Sequence, residues 1–289
     1  MRHSTTFLMS LIVASILVLM FLNLVLGSVS IPLKSVWNII CGLGDEPVTW
    51  QNIVWKSRLA ISGLQMQTVF RNPLAGPSVL GISSGASMGV AFVVLLSGSL
   101  GGVALSKLGF MGEIALSIAA VIGSLSVMAL IVYVSQKVKG NVTLLIIGVM
   151  IGYVANAVIG VLKFFSVEED IRAYVIWGLG SFSRVSGNQM MLFVAIMAIL
   201  IPLSFLLIKT LNLMLLGDGY ARNLGLNIKR ARLLVITSAG VLTAIVTAYC
   251  GPVIFLGLAV PHLCRAIFQT SDHRVLMPAV LFAGAALAL

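Results

Sequence analysis

Long apolar stretches separated by short polar loops run through the whole chain. Uncharged or nearly uncharged runs fall at about 7–27, 79–99, 111–134, 142–162, 189–208, 233–249 and 252–268, with weaker ones at 59–70 and 275–289. Most approach the roughly 20 residues that a helix needs to cross a bilayer, so the pattern predicts an all-α, polytopic membrane protein. Two shorter amphipathic pieces, PLKSVWNIICG at 32–42 and YVIWGLGSFSRV at 174–185, each carry a tryptophan suited to the interfacial belt and are expected at a membrane surface. The run at 7–27 exceeds the ~7–15 apolar residues of a signal-peptide core and ends without a clear small-residue cleavage site, so it is expected to stay as a helix. No stretch reads as a soluble domain, which leaves 1–289 as one transmembrane unit.

Composition sharpens this picture. Hydrophobic residues make up 60% of the chain and charged ones 9%, against about 25% charged in soluble domains. The net charge of +10 sits mainly in short loops, where membrane topology explains it better than an anionic ligand does. With the amino terminus cytosolic and each segment crossing once, eleven of the eighteen Lys and Arg residues fall inside, among them Arg71, Lys137, Lys209, Arg222, Lys229, Arg230, Arg232, Arg265 and Arg274. Leu59–Phe70 strains this scheme. Its twelve residues give about 18 Å of helix, while the hydrocarbon core is about 30 Å thick. Were it not to cross, the basic cluster from Lys209 to Arg232 would face outward. The segment is therefore expected to be shortened, and the last run, 275–289, to stop in mid-helix.

Candidate chemistry is sparse. Cys41, Cys250 and Cys264 have no metal-like spacing and read as packing residues. His262 and His273 lack partner ligands nearby, so structural hydrogen bonding is the expected role and no cofactor or metal is implied. Titratable groups are nearly absent from mid-span, which disfavours the alternative of an ion-coupled secondary transporter. Neither a phosphate-binding Gly-Lys-Ser/Thr loop nor a convergent catalytic set is visible. What remains is a passive pathway driven from outside the chain, not an enzyme.

The polar segments carry the informative residues. In FRNPLAGPSVLGISSGA (70–86), Pro73 and Pro77 restrain the backbone, Asn72 can bond a turn amide, and Arg71 is a poor guest in hydrocarbon, which together describe a tight cytosolic turn. Gly81, Gly85 and Gly89 follow four apart, a spacing that lets helix backbones approach closely. Gly148 and Gly152 in the run 142–162 have the same spacing, followed by Tyr153 and Asn156. Between Gly217 and Arg232 the loop reads as a short cytosolic helix, with Asp218 as N-cap, a helical turn through Tyr220, Ala221 and Arg222, and Gly225 as stop; a plain polar loop is the alternative.

Gln67, RNPLA at 71–75, Pro77, Leu80-Gly81 and Gly85-Ala86 resemble the signature of the FecCD-type permeases, the membrane subunits of bacterial ABC importers for iron-siderophores, haem and cobalamin. WGLGSF at 177–182, LGDGYARNLGLNIKRARLL at 216–234, and GPVIFLGLAVPHLCR at 251–265 with DHR at 272–274 and Pro278 extend the resemblance over most of the chain. It implies a fold of ten transmembrane helices, here with a shortened second helix and the tenth missing. It also implies a multi-pass protein of the bacterial inner membrane, a homodimer, ATP-binding subunits and an extracytoplasmic binding protein. On this resemblance residues 216–232 are the ATPase coupling loop, Arg58 is the docking point for the binding protein, and the helix carrying Gly148, Gly152 and Asn156 lines the passage between two permease copies.

Overall fold

The computed structural model describes residues 59–99, 110–138, 140–180, 188–253 and 255–288. Among the described residues every regular element is helical: α1 (Leu59–Phe70), a 3-10 turn (Pro77–Leu80), α2 (Ile82–Ser99), α3 (Phe110–Lys137), α4 (Asn141–Phe164), α5 (Glu168–Gly178), α6 (Asn188–Phe205), α7 (Ile208–Leu215), α8 (Asp218–Asn223), α9 (Ile228–Cys250), α10 (Leu256–Phe268) and α11 (His273–Ala288). The runs at 7–27 and 32–42, Arg58 and the stretch 181–187 lie outside the described residues.

The segment that hydropathy marks as weakest stands at the centre. All twelve residues of α1 are buried, and α9, α10, α11 and α7 pack around it. A helix with Ser62, Gln65, Gln67 and Thr68 scores poorly as a span, yet Ser62 is satisfied within the helix and Gln67 and Thr68 by neighbouring helices. Ser62 Oγ donates to the Leu59 carbonyl at 2.7 Å and Thr68 Oγ1 lies 2.9 Å from the Leu64 carbonyl. Protein, rather than lipid, is the solvent of α1, so its composition need not be that of a span.

Among the described residues, three helices are long and apolar enough to cross a membrane, Ile114–Lys137, Asn141–Phe164 and Ile228–Cys250. A fourth crossing is available if Met191–Phe205 and Ile208–Leu215, bent by 44°, form one span. The run expected at 252–268 is interrupted at its start. Gly251 has φ +79° and Pro252 follows, so helix resumes only at Leu256.

Glycines set the closest approaches. α2 lies along α3 through Gly85, Gly89, Ala119 and Gly123. A Cβ added at Gly123 would stand 3.0 Å from the Gly85 carbonyl carbon and 3.0 Å from Gly89 Cα. This is small-residue packing of the kind that brings helix backbones together. Gly81 departs from the expected shared face. It closes the 3-10 turn that Pro77 starts, with φ +73°, and the residue there faces the Gly148 carbonyl and the Gly152 amide of α4. Closing that turn requires a left-handed residue, and Gly81, whose carbonyl still accepts from the Gly85 amide at the start of α2, abuts α4 there rather than α3.

Loops sort to two ends. Asn141 Nδ2 donates to the Val69 carbonyl at 2.7 Å, Asn212 Nδ2 to Asp272 Oδ1 at 2.6 Å, and Arg71 pairs with Asp218. These contacts gather the loops that the charge pattern assigns to the cytosol. At the opposite end Ser166 Oγ donates to the Leu95 carbonyl at 3.0 Å. There Gly251 also meets Gly180 (φ +66°), and an added Cβ at Gly251 would lie 2.8 Å from Gly180 Cα.

Candidate functional site

Among the described residues, the end that the charge pattern assigns to the cytosol carries one exposed short helix, α8. α8 begins after Gly217 (φ +96°) and closes with a complete Schellman motif. The Leu226 amide donates to the Ala221 carbonyl at 2.9 Å and the Gly225 amide to the Arg222 carbonyl at 2.9 Å, with Gly225 at φ +85°. Ala221 alone is buried; Tyr220 is 73% and Leu224 61% exposed, and Arg222 is exposed beside them. The loop thus presents an exposed apolar and cationic face on a backbone fixed at both ends.

Asp218 does not cap this helix, contrary to the expectation from sequence. Gly217 holds the N-cap position, and no side chain caps it. The Asp218 carboxylate is drawn instead between two guanidinium groups. Arg71 Nη2 donates to Oδ1, and Arg232 Nη2 lies 3.6 Å from Oδ2. Arg71 also points Nη2 toward the Met214 carbonyl at 3.5 Å. It reaches both from a left-handed backbone (φ +48°) just past the end of α1, where its amide bonds the Thr68 carbonyl and the Asn72 amide bonds the Gln67 carbonyl. A non-glycine residue there is strained. Pro73 lies in the turn that follows, and Asn72 Oδ1 accepts from the Leu74 amide at 2.9 Å, the turn bond expected of it.

Further polar groups tie the same end of α1. Gln67 accepts from Arg265 Nη1 at 2.6 Å and donates through Nε2 to the Leu258 carbonyl at 3.2 Å, both on α10. His273 is fully buried; its Nδ1 donates to Asn212 Oδ1 at 2.8 Å, because that oxygen can only accept, which leaves Nε2 to accept from Thr68 Oγ1 at 2.8 Å. Asp272, which precedes α11, is held below the usual carboxylate range by the Arg274 amide and by Asn212. Among the described residues no group of three His, Cys, Asp or Glu could hold a metal.

The remaining expected site residues divide. Gly85 and Gly89 pack α2 on α3, while Gly148 and Gly152 are buried against the turn at Leu80, Gly81 and Ser84. Asn156 is exposed on α4, as is Tyr153. Sequence reasoning missed Gly63, Thr68, Asn141, Asn212 and Arg232. Only Arg232 carried a signal, as the basic end of the loop read from Gly217 to Arg232.

Gly225→Val tests the loop geometry. A β-branched residue at φ +85° costs about 1–2 kcal/mol, so the amides of Leu224 and Leu226 are expected to exchange with deuterium about 5- to 30-fold faster. Unchanged exchange would mean that the left-handed stop does not hold α8.

A mostly buried polar end, an exposed capped helix beside it and helices of membrane length define a polytopic membrane protein. A model of the FecCD transport family matches residues 15–289, and the chain belongs to that family. It is a multi-pass protein of the inner membrane. The chain is 33% identical over 274 residues to the hemin transport system permease protein HmuU of Yersinia pestis, covering 91% of this chain and 79% of that protein. It is 34% identical over 239 residues to the vitamin B12 import system permease protein BtuC of Klebsiella pneumoniae, covering 83% and 69%. A solved inward-facing structure described as a metal-chelate type ABC transporter superposes with a TM-score of 0.77 at 25% identity, covering 96% of this chain and 87% of the other.

Proposed function

We propose that this chain is the membrane permease subunit of an ABC importer, with residues 216–232 as its coupling loop. The observation that carries this reading is α8, a capped helix whose Tyr220, Arg222 and Leu224 face the cytosol, the first and last left largely uncovered by the described residues. Such a face fits a groove on an ATP-hydrolysing partner, since the chain itself carries no phosphate-binding loop. ATP-driven closure of that partner moves α8 and switches the passage between outward and inward openings. Membership of the family, and the haem and cobalamin systems named for its relatives, support an iron-siderophore, haem or cobalamin as cargo. An extracytoplasmic binding protein delivers it, docking on Arg58, and two permease copies enclose the passage, with Asn156 facing it.

Co-purification tests the reading. The intact chain is expected to bring down an ATPase subunit, and Tyr220→Asp with Leu224→Asp is expected to lose it, because two carboxylates cannot enter an apolar groove unpaired. Retention of the ATPase by that double variant would refute the placement of the interface. Concentrative uptake by vesicles holding this polypeptide alone would refute the importer reading altogether.

A further inference from the structure

We propose that the cytosolic end of α1 receives the movement of α8, with Arg71 and Thr68 as the positioning residues that link them. The tie matters for transport only if residues 216–232 are the coupling loop, as proposed above.

α8 is poorly held by packing. Only Ala221 of its six residues is buried, and its charged side-chain link to the rest of the described chain is Asp218, pinned by Arg71 and Arg232. Arg232 belongs to α9, the helix that α8 leads into directly, so that contact joins neighbours in sequence. Arg71 lies 147 positions away and terminates α1, whose every residue is buried. A second tie runs in parallel. Asn212 of α7, the helix just ahead of α8, accepts from the His273 ring, and His273 accepts from Thr68 one turn before Arg71. The same turn of α1 also holds α10 through Gln67, which bonds Arg265 and Leu258, and α4 through the Val69 carbonyl, which accepts from Asn141. Displacement of α8 therefore arrives, through Asp218 and Asn212, at residues 67–71, and leaves toward two other helices, α10 and α4. Left-handed Arg71 places its guanidinium against α8 while the chain turns away; the charge, rather than bulk, makes the connection.

The measurement is hydrogen–deuterium exchange on the permease in nanodiscs with the ATPase that co-purifies with it, with and without ADP–vanadate. In the unsubstituted complex, trapping is expected to shift exchange both at 208–226 and at 66–81. In Arg71→Ala the shift at 208–226 persists, and that at 66–81 shrinks about threefold, within the range of coupling that single residues on such links carry, the remainder passing through Asn212, His273 and Thr68. Arg71→Lys, which keeps the charge, restores most of it. Should Arg71→Ala yield no folded complex, Arg71→Gln keeps the length without the charge and is read in the same way. An undiminished shift at 66–81 in the uncharged variant, or an equal loss in Arg71→Lys, overturns the tie alone. A complex that shows no shift at 208–226, or a chain that retains no ATPase, overturns the coupling loop and the tie with it.

Discussion

Gly63→Val is expected to cost the protein its fold rather than trim its stability. Gly63 sits mid-way along buried α1 and faces the backbone of Gly257, where even a single added methyl would overlap the Gly257 carbonyl. That carbonyl is the one that Pro261 leaves without its helical amide partner, four residues on. A flexible side chain could swing aside, but a peptide carbonyl cannot, so α1 and α10 would have to separate. Overpacking of a core commonly costs about 1–3 kcal/mol, and a backbone obstruction in the central helix belongs at or above the top of that range. Separation would also stretch the Gln67 bonds to Leu258 and Arg265. The check is the yield of monodisperse protein in detergent and its melting temperature. A Gly63→Val protein that melts with the parent would show that the two helices do not meet there.

Asp218→Ala is expected to be the most damaging change on the cytosolic surface. It leaves Arg232, whose side chain is only 10% exposed, without its counter-charge, and sets two guanidinium groups facing one another. Removing one partner of a fully buried pair costs about 3–5 kcal/mol. Asp218 is 42% exposed, and water screens the site in part, so about 1–3 kcal/mol is the expected loss. The sign of a second variant makes the test sharp. Asp218→Ala combined with Arg232→Met removes the stranded charge as well, and is expected to recover much of that loss in a thermal or denaturant melt. If the double variant is weaker than the single one, Arg232 is stabilised by something other than Asp218.

The sequence displayed what lies within one helix and concealed what joins two. Spacing alone exposed Gly85 and Gly89 as an approach surface, and Gly225 as the stop of a short helix, because each signal is read within about one or two turns. Their partners were out of reach: Gly123 offers no pattern of its own, and Gly257 is only one glycine in a run already broken by Pro252 and Pro261. Arg71 was recognisable as unfit for hydrocarbon, but its partner Asp218 was assigned to the helix terminus, the local role such a residue most often takes. Two arginines outcompeted that role. Thr68 and His273 likewise meet across 205 positions. The twelve residues of α1 look weak by hydropathy because that scale measures fitness for lipid, while this helix is surrounded by protein.

That enclosure has a consequence for how the molecule senses its surroundings. α3 bears a broad exposed apolar face of membrane length, so a thinner or thicker membrane would strain it by fractions of a kcal/mol per Å of mismatch. The central helix has no such boundary to match. Changes in acyl-chain length would thus tilt that outer stave of the bundle while its axle keeps its place.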